Sequence, residues 1–477
     1  MRQAGILFPI SCLPSEYGIG DFGPEAYKLV DWLEKTGIGI WQILPLNPLG
    51  FGYSPYQTLS SYAIEPLYLS LDLLEKEGLI KKAPKIKVSA SIDYEQVKKL
   101  KEPYYKEALS NFKPNKDYLK FKKRSWVKKY AIFMALKKKN GLRSWPEWKI
   151  TSARELNKNE ISYEIFLQYE LFQQWFKLKS YANKRHISLM GDIPFYVGLD
   201  SADVYYHQQD FLLDPKTHQP TSVAGVPPDY FSKTGQRWGN PIYNWPQLKK
   251  EHYAFWLDRL GQLAGMVNII RIDHFRAFDT YWQIPQSCST AIEGKWEEAP
   301  GYEFLSSLKR KYPRLQIIAE DLGLLRPEVG TLRDYFHLKG MRVVEFSFDP
   351  KHISNPNLDK KNSVIYTGTH DNQPLLAWYK SFDPSDQELV KETFRKDYHL
   401  DLIKGFIHYT LSSSAQYAIV PVWDYLGLDD QARLNTPGTV GKPNWCWRLT
   451  DLHLLNKDEE WYAKEIKTSG RSRKSNN

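Results

Sequence analysis

The sequence predicts a (β/α)8 barrel, the TIM-barrel fold class, with large helical and loop insertions around its C-terminal mouth. Three observations carry the prediction. Short apolar runs recur down the chain, each followed by a loop and often by an amphipathic helix, the pattern of repeated strand–helix units. The runs are near-continuous in Ile, Val and Leu, as expected of parallel strands buried on both faces. Their C-terminal ends collect ionisable residues: Asp192, Arg271, Asp273, Glu320, Asp321, His370, Asp371 and Asp424. The first two observations also allow an open doubly wound sheet; the third favours the barrel, which builds its site at that end.

Taken in order, the first strand is read in GILFPI (5–10). PEAYKLVDWLEKTG (24–37) follows as a helix, with Pro in its first turn and Gly at its end. IGIWQILPL (38–46) is the second strand and ISLMGDIPFYV (187–197) the third. The interval between them exceeds one crossover, so an insertion of mostly helical character is expected at about 50–180. It holds a Lys-rich amphipathic helix near 117–140 and a second helix at 162–184, where Ile165, Tyr169, Phe172 and Phe176 share a face. Residues 198–245 are rich in Gly, Pro and aromatics and read as loops over the mouth. Trp256, Leu260 and Leu263 mark the core face of a helix over 252–264. The fourth strand is MVNIIRIDHF (266–275). LQIIAEDLG (315–323), MRVVEFSF (341–348), SVIYTGTHD (363–371) and QYAIVPVWDYL (416–426) complete the set. No repeat or low-complexity linker divides the chain, so residues 1–477 are expected to form one domain, with a disordered basic tail at 467–477.

Composition narrows the function. Hydrophobic residues make up 42% and charged residues 25%, which suits a globular, well-cored protein. No apolar run is long enough to span a bilayer, and the N-terminus lacks a signal peptide's apolar core, so a cytoplasmic protein without a membrane partner is expected. The 3 cysteines are widely spaced and odd in number, and read as reduced thiols. The net charge of +10 gathers in KKAPKIK (81–87), KFKKRSWVKK (120–129), KKKNGLR (137–143) and the tail. Lysines alternating with apolar residues at helical spacing read as solvated faces, and no nucleic-acid motif accompanies them. The 16 Trp, 31 Tyr and 22 Phe are more telling, because many sit beside Gly, Pro and polar residues in loops. Exposed aromatic loops suit a ligand with flat apolar faces and a hydroxyl rim, such as a sugar.

Several chemistries fall away. GIGDFG (18–23) fits G-x-G-x-x-G, but seven residues separate it from the strand and the second strand ends without an acid, so it reads as a turn into a helix. The 11 histidines form no H-E-x-x-H or His/Cys cluster, and no Asp ladder for calcium or G-x-S-x-G elbow occurs. No cofactor is expected. Carboxylates remain. In NIIRIDHFRAF (268–278), strand alternation aims Ile269, Arg271 and Asp273 at the barrel axis and Ile270 and Ile272 outward. Arg271 one step below Asp273 would keep that carboxylate ionised and oriented, as a nucleophile requires. Glu320 follows three apolar residues, where a raised pKa would suit a general acid. Two carboxyls on neighbouring strands is the arrangement for glycosidic chemistry, and a separation of about 5–5.5 Å gives retention.

RIDHF, AEDLG and TGTHDN, in this order, resemble the signature of glycoside hydrolase family 77, the 4-α-glucanotransferases (amylomaltases, disproportionating enzymes), relatives of the α-amylases. GILFPISCLPSEYGIGDFG, WQILPLNPLGFGYSPYQTLSSYA, GDIPFYVGLDSADV, AGVPPDYFSKTGQRWGNPIYNW and RLNTPGTVGKPNWCWR extend the resemblance over most of the chain, apart from the Lys-rich insertion and the tail. It implies Asp273 as nucleophile, Glu320 as general acid/base and Asp371 as a third carboxylate gripping sugar hydroxyls. It further implies that Tyr56 and Trp238 stack on sugar rings, that Arg271 and His370 support the site, that residues 225–238 form a lid and that Asn444 and Trp445 are the NW pair. With Asp192 and His274 at their strand ends, Tyr56, Trp238, Arg271, His370 and Asn444 make up the expected substrate-binding set. Donors would be α-1,4-glucans and maltooligosaccharides; acceptors would be glucose or maltooligosaccharides. The pattern departs at Tyr53, where an acid is expected, at Glu65-Pro66, at Ala277 and at Gln373-Pro374. An α-amylase-like hydrolase is the alternative on the same barrel.

Overall fold

The structure is a computed structural model, and it describes residues 2–228, 232–353 and 361–473. Eight parallel strands close into a barrel: β1 (Gln3–Leu7), β2 (Ile40–Gln42), β3 (Ser188–Ile193), β6 (Ile269–Ile272), β9 (Gln316–Ala319), β10 (Lys339–Val343), β11 (Ser363–Tyr366) and β12 (Tyr417–Pro421). Each of the eight apolar runs supplies one strand, and β12 pairs with β1 to complete the ring. The remaining strands form a separate antiparallel sheet: β4 (Ser222–Val226), β5 (Gln236–Pro241), β7 (Thr280–Pro285) and β8 (Lys295–Glu298), in the order β5-β4-β7-β8.

The barrel strands are buried on both sides, which is why they read as continuous apolar runs. Along β6, Ile269, Ile270, Arg271 and Ile272 are all buried. The interior is partly polar. The Tyr366 hydroxyl donates to Gln42 Oε1 at 2.8 Å and lies 4.0 Å from Met190 Sδ, while Arg271 Nε points at Met341 Sδ at 3.4 Å. Arg271 thus faces the axis, as the alternation requires. Outside, helix Pro24–Thr36 ends on Gly37 at φ 81°, the left-handed cap that glycine adopts without strain.

Four sequence expectations change. The Lys-rich helix is two helices, Lys116–Phe121 and Ser125–Lys139, parted by a turn at 122–124. Its lysines are not all solvated: Lys137 is buried, bonded to Asp200 and to the Leu142 and Arg143 carbonyls. In helix Lys158–Lys184, Ile165, Tyr169 and Phe172 are buried, but Phe176 is 40% exposed because the apolar stripe drifts off the contact face. The segment read as loops over 198–245 carries the β4 and β5 hairpin. Its Gly and Pro content hides two strands whose further partner, β7, lies beyond the fourth barrel strand; residues 229–231 of the expected lid lie outside the described residues.

The tail expected to be disordered at 467–477 is packed as far as residue 473; 474–477 lie outside the described residues. Helix Glu459–Thr468 leads into Arg471, which is fully buried and donates to the carbonyls of Leu411, Ser413 and Ala415 at 2.6, 2.7 and 2.9 Å. Arg473 reaches the Arg185 carbonyl at 3.0 Å. Basic composition concealed this, since a guanidinium can be solvated by backbone carbonyls as well as by water.

Candidate active site

At the C-terminal end of β6 the strand pattern continues past its last residue. The Asp273 N–H donates to Ile193 O at 3.1 Å and the Glu320 N–H to Ile272 O at 3.0 Å. His274 then turns the chain at φ 50°, left-handed, and its N–H donates to Glu320 Oε2 at 2.7 Å. The backbone that carries one carboxylate therefore holds the other in place.

Arg271 sits below both, 5% exposed at its side chain. It donates through Nη1 to Asp192 Oδ2 at 2.6 Å and pairs through Nη2 with Asp273 Oδ1 at 3.0 Å. Asp192 is wholly buried, whereas the Asp273 side chain is 28% exposed and that of Asp371 is 45% exposed. Asp192, expected to contact substrate, is instead an inner anchor. It accepts from Arg271 and, at 2.7 Å, from the Tyr56 hydroxyl. It pairs in register with Arg271, and both bonds fall on Oδ2, while Oδ1 is buried without a partner among the described residues.

Burial raises both Asp273 and Glu320, and their partners differ. Burial pushes Glu320 up to about 7, against the pull of Arg271 and of the His274 and Leu322 N–H groups. Burial also raises Asp273, helped by Asp192, Glu320 and Asp371; the adjoining Arg271 cation opposes this and favours the ionised form. His274 is pushed down to about 3 by burial, so its ring is neutral at pH 7.

Asp371 is held from the opposite rim. Asn435 Nδ2 donates to Asp371 Oδ1 at 2.7 Å, and His370 Nε2 lies 3.4 Å from Asp371 Oδ2. The loop beneath is braced: Asn372 Oδ1 accepts from Thr369 N and Oγ1 at 2.9 and 2.8 Å, and Asn372 Nδ2 donates to Glu345 at 3.0 Å. Asp424 serves this loop and not the mouth, accepting from Thr367 Oγ1 at 2.5 Å and Leu375 N at 2.8 Å. Asp321 likewise turns away, to Arg333 and to Met341 N at 2.7 Å.

The aromatic walls come from two directions. Tyr56 stacks on His370 with centroids 4.9 Å apart and planes at 12°, and Trp445 leans on both from 5.9 Å. Trp238, half-buried on β5, meets the His274 ring edge-on at 4.9 Å. His274 packs among Trp238, Tyr196 and Phe195, and its Nε2 has no hydrogen-bond partner among the described residues. Tyr53, at the position of an expected acid, stacks on Tyr94 at 4.3 Å and bonds Glu95 at 2.5 Å.

Asn444 does not reach the mouth. Its amide is consumed within its own loop, accepting from Thr436 N at 3.0 Å and donating to Thr439 Oγ1 at 2.8 Å. That brace steadies the loop from which Asn435 reaches Asp371. Asn435 was missed from sequence. It stands in the quoted block RLNTPG, but only the fold shows that it faces the third carboxylate.

A parallel barrel with three carboxyls, a shared arginine and stacked aromatic rings at its C-terminal mouth defines a carboxylate-dependent enzyme of glycosyl transfer. A family model described as 4-alpha-glucanotransferase matches residues 8–454. The chain belongs to this family. It is 41% identical over 475 residues to a 4-alpha-glucanotransferase of Synechocystis, covering 94% of each chain. It is 39% identical over 484 residues to one of Streptococcus pneumoniae, covering 96% of this chain and 95% of that one. Among solved structures, the amylomaltase of Streptococcus agalactiae in complex with acarbose superposes with a TM-score of 0.93 at 33% identity, covering 99% of this chain and 100% of that one.

Proposed function

We propose that this enzyme cleaves an α-1,4-glucan and transfers the released segment to the 4-hydroxyl of glucose or another maltooligosaccharide, by double displacement with net retention. Asp273 attacks the anomeric carbon while Glu320 protonates the leaving oxygen. The glycosyl–Asp273 ester forms as the glycosidic bond breaks. Glu320, now a base, takes the proton from the acceptor hydroxyl, which attacks the same carbon and frees Asp273. Asp371 grips sugar hydroxyls, oriented by Asn435 and His370.

The observation that carries this reading is the unequal treatment of two neighbouring carboxyls. Asp273 touches a buried arginine at 3.0 Å, while Glu320 is raised to about 7. Burial raises both carboxyls, but Asp273 alone is paired with the arginine, which opposes the rise and favours its anion, while Glu320 holds its proton near neutral pH. This difference in partners matches the roles that the two steps need. Transfer exceeds hydrolysis when an acceptor reaches the intermediate before water. The rings of Tyr56 and Trp238 favour a sugar there over water.

The three cysteines are unpaired, and among the described residues no helix is long and apolar enough to cross a membrane; both support a cytoplasmic location. The test is incubation with maltotriose, resolving glucose and longer oligomers. The wild type forms both, and Asp273→Asn forms neither. Retained transfer in the variant overturns the nucleophile assignment, and glucose release without longer oligomers overturns transfer.

A further inference from the structure

Away from the mouth, a cavity of about 420 Å³ opens between the helical insertion and helix Ala254–Met266. None of the mouth residues lines it. Its volume falls in the range of small-molecule sites. Tyr62 and Trp126 lie near parallel, with centroids 6.3 Å apart and planes at 25°. Tyr206 and Tyr312 add aromatic wall.

The polar groups are mixed. Lys129 Nζ lies 3.5 Å from His207 Nε2 and 5.4 Å over the Tyr206 ring. Glu251, Asp258 and Asp203 supply carboxylates, and Gln262 an amide. Two wall groups keep unfilled hydrogen-bonding capacity among the described residues: the Tyr130 hydroxyl and Oδ1 of Asp203, on side chains 1% and 3% exposed. The other Asp203 oxygen accepts from Ser61 N at 2.7 Å. The Tyr130 hydroxyl and Asp203 Oδ1 are shielded from the opening, so ligand contacts fall to Lys129, His207, Glu251, Asp258 and Gln262 on the wall.

The cavity's chemistry narrows the ligand. Asp258 is paired with Lys311 at 3.1 Å and Arg259 acts on Asp203, while Lys129 and His207 face Glu251, so the charges nearly balance and select neither an anion nor a cation. Aromatic faces with both donors and acceptors suit a neutral ring whose faces are apolar and whose rim carries hydroxyls. We propose that this cavity is a second carbohydrate site, binding a glucosyl segment of the glucan substrate. The choice of glucan among sugars rests on the transferase reading. Loop 56–62 connects the two places, with Tyr56 in the mouth and Tyr62 in the cavity wall. A long chain held there is delivered to the mouth at raised local concentration, whereas a short oligomer gains nothing.

The test uses the full-length enzyme and two variants, Trp126→Ala and Asp258→Lys. Trp126 also packs on Phe121 and Phe172, so its loss could disturb the fold; Asp258 is exposed and its ion pair with Lys311 lies at the surface, where loss leaves the core intact. In both variants KM for long amylose is expected to rise about three- to tenfold, with kcat and the maltotriose KM unchanged. Calorimetric titration of Asp273→Asn protein with maltotriose is expected to show two equivalents bound, falling to one when Asp258→Lys is added. An unchanged amylose KM in Asp258→Lys, or a single equivalent with or without that change, overturns the proposal. Product formation by Asp273→Asn reports on the nucleophile alone, so the two readings fail separately.

Discussion

Replacing Glu320 with Gln should abolish transfer and remove a loss of stability that the wild type suffers as pH rises. The carboxyl rises from 4.5 to about 7 on folding, chiefly through burial. The native state therefore keeps this proton to higher pH than the unfolded chain does. Stability from the group is fully present below about pH 4.5 and is lost as pH rises through 7. With 1.36 kcal/mol per pKa unit, the wild type loses about 2.5 kcal/mol from this site between pH 5 and pH 8. Glu320 retains some solvent contact, so screening trims the figure to about 2 kcal/mol. The glutamine cannot ionise and suffers no such loss. It can still accept from the His274 N–H, now 2.7 Å from Glu320 Oε2, but presents an amide NH2 towards the Leu322 N–H. That penalty is nearly independent of pH and drops out when two pH values are compared. Urea unfolding followed by tryptophan fluorescence at pH 5 and pH 8 measures the effect. The stability of Glu320→Gln relative to wild type should improve by about 2 kcal/mol from the lower to the higher pH. An unchanged difference would refute the burial-raised carboxyl and with it the acid role.

Other outcomes follow from the same contacts. In wild type, kcat/KM for maltotriose should fall tenfold per unit above about pH 7 as Glu320 loses its proton, with an acid limb from Asp273 displaced above the ordinary aspartate range; a pH–rate profile checks both. Asn435→Ala removes the 2.7 Å bond to Asp371 and should lower kcat/KM about tenfold, with the melting temperature little changed. Arg471→Met leaves several buried carbonyls without their donor and should destabilise the protein by about 3 kcal/mol or more in urea unfolding, while kcat of the folded fraction is retained.

The sequence by itself determined the barrel and put the two proposed reacting carboxyls at neighbouring strand ends. Eight apolar runs with ionisable residues gathered at their C-terminal ends favour a closed barrel over an open sheet, and period-two alternation aims Arg271 and Asp273 at the axis. Tertiary structure decided which polar residues at the strand ends reach the mouth. Asp192, Asp321 and Asp424 occupy such ends, yet each is spent on partners from other elements: Arg271 and Tyr56, Arg333 and Met341, Thr367 and Leu375. Asn444 and Asn435 stand nine positions apart in one loop, and only the folded loop turns one inward and the other to Asp371. The basic tail and the Gly-rich hairpin misled for the same reason. Composition reports what a segment prefers in isolation, whereas Arg471 meets a ring of carbonyls and β4 meets β7 only when distant stretches come together. Periodicity is a local property and can be read along the chain; hydrogen-bond partnership is a non-local one and exists only after folding.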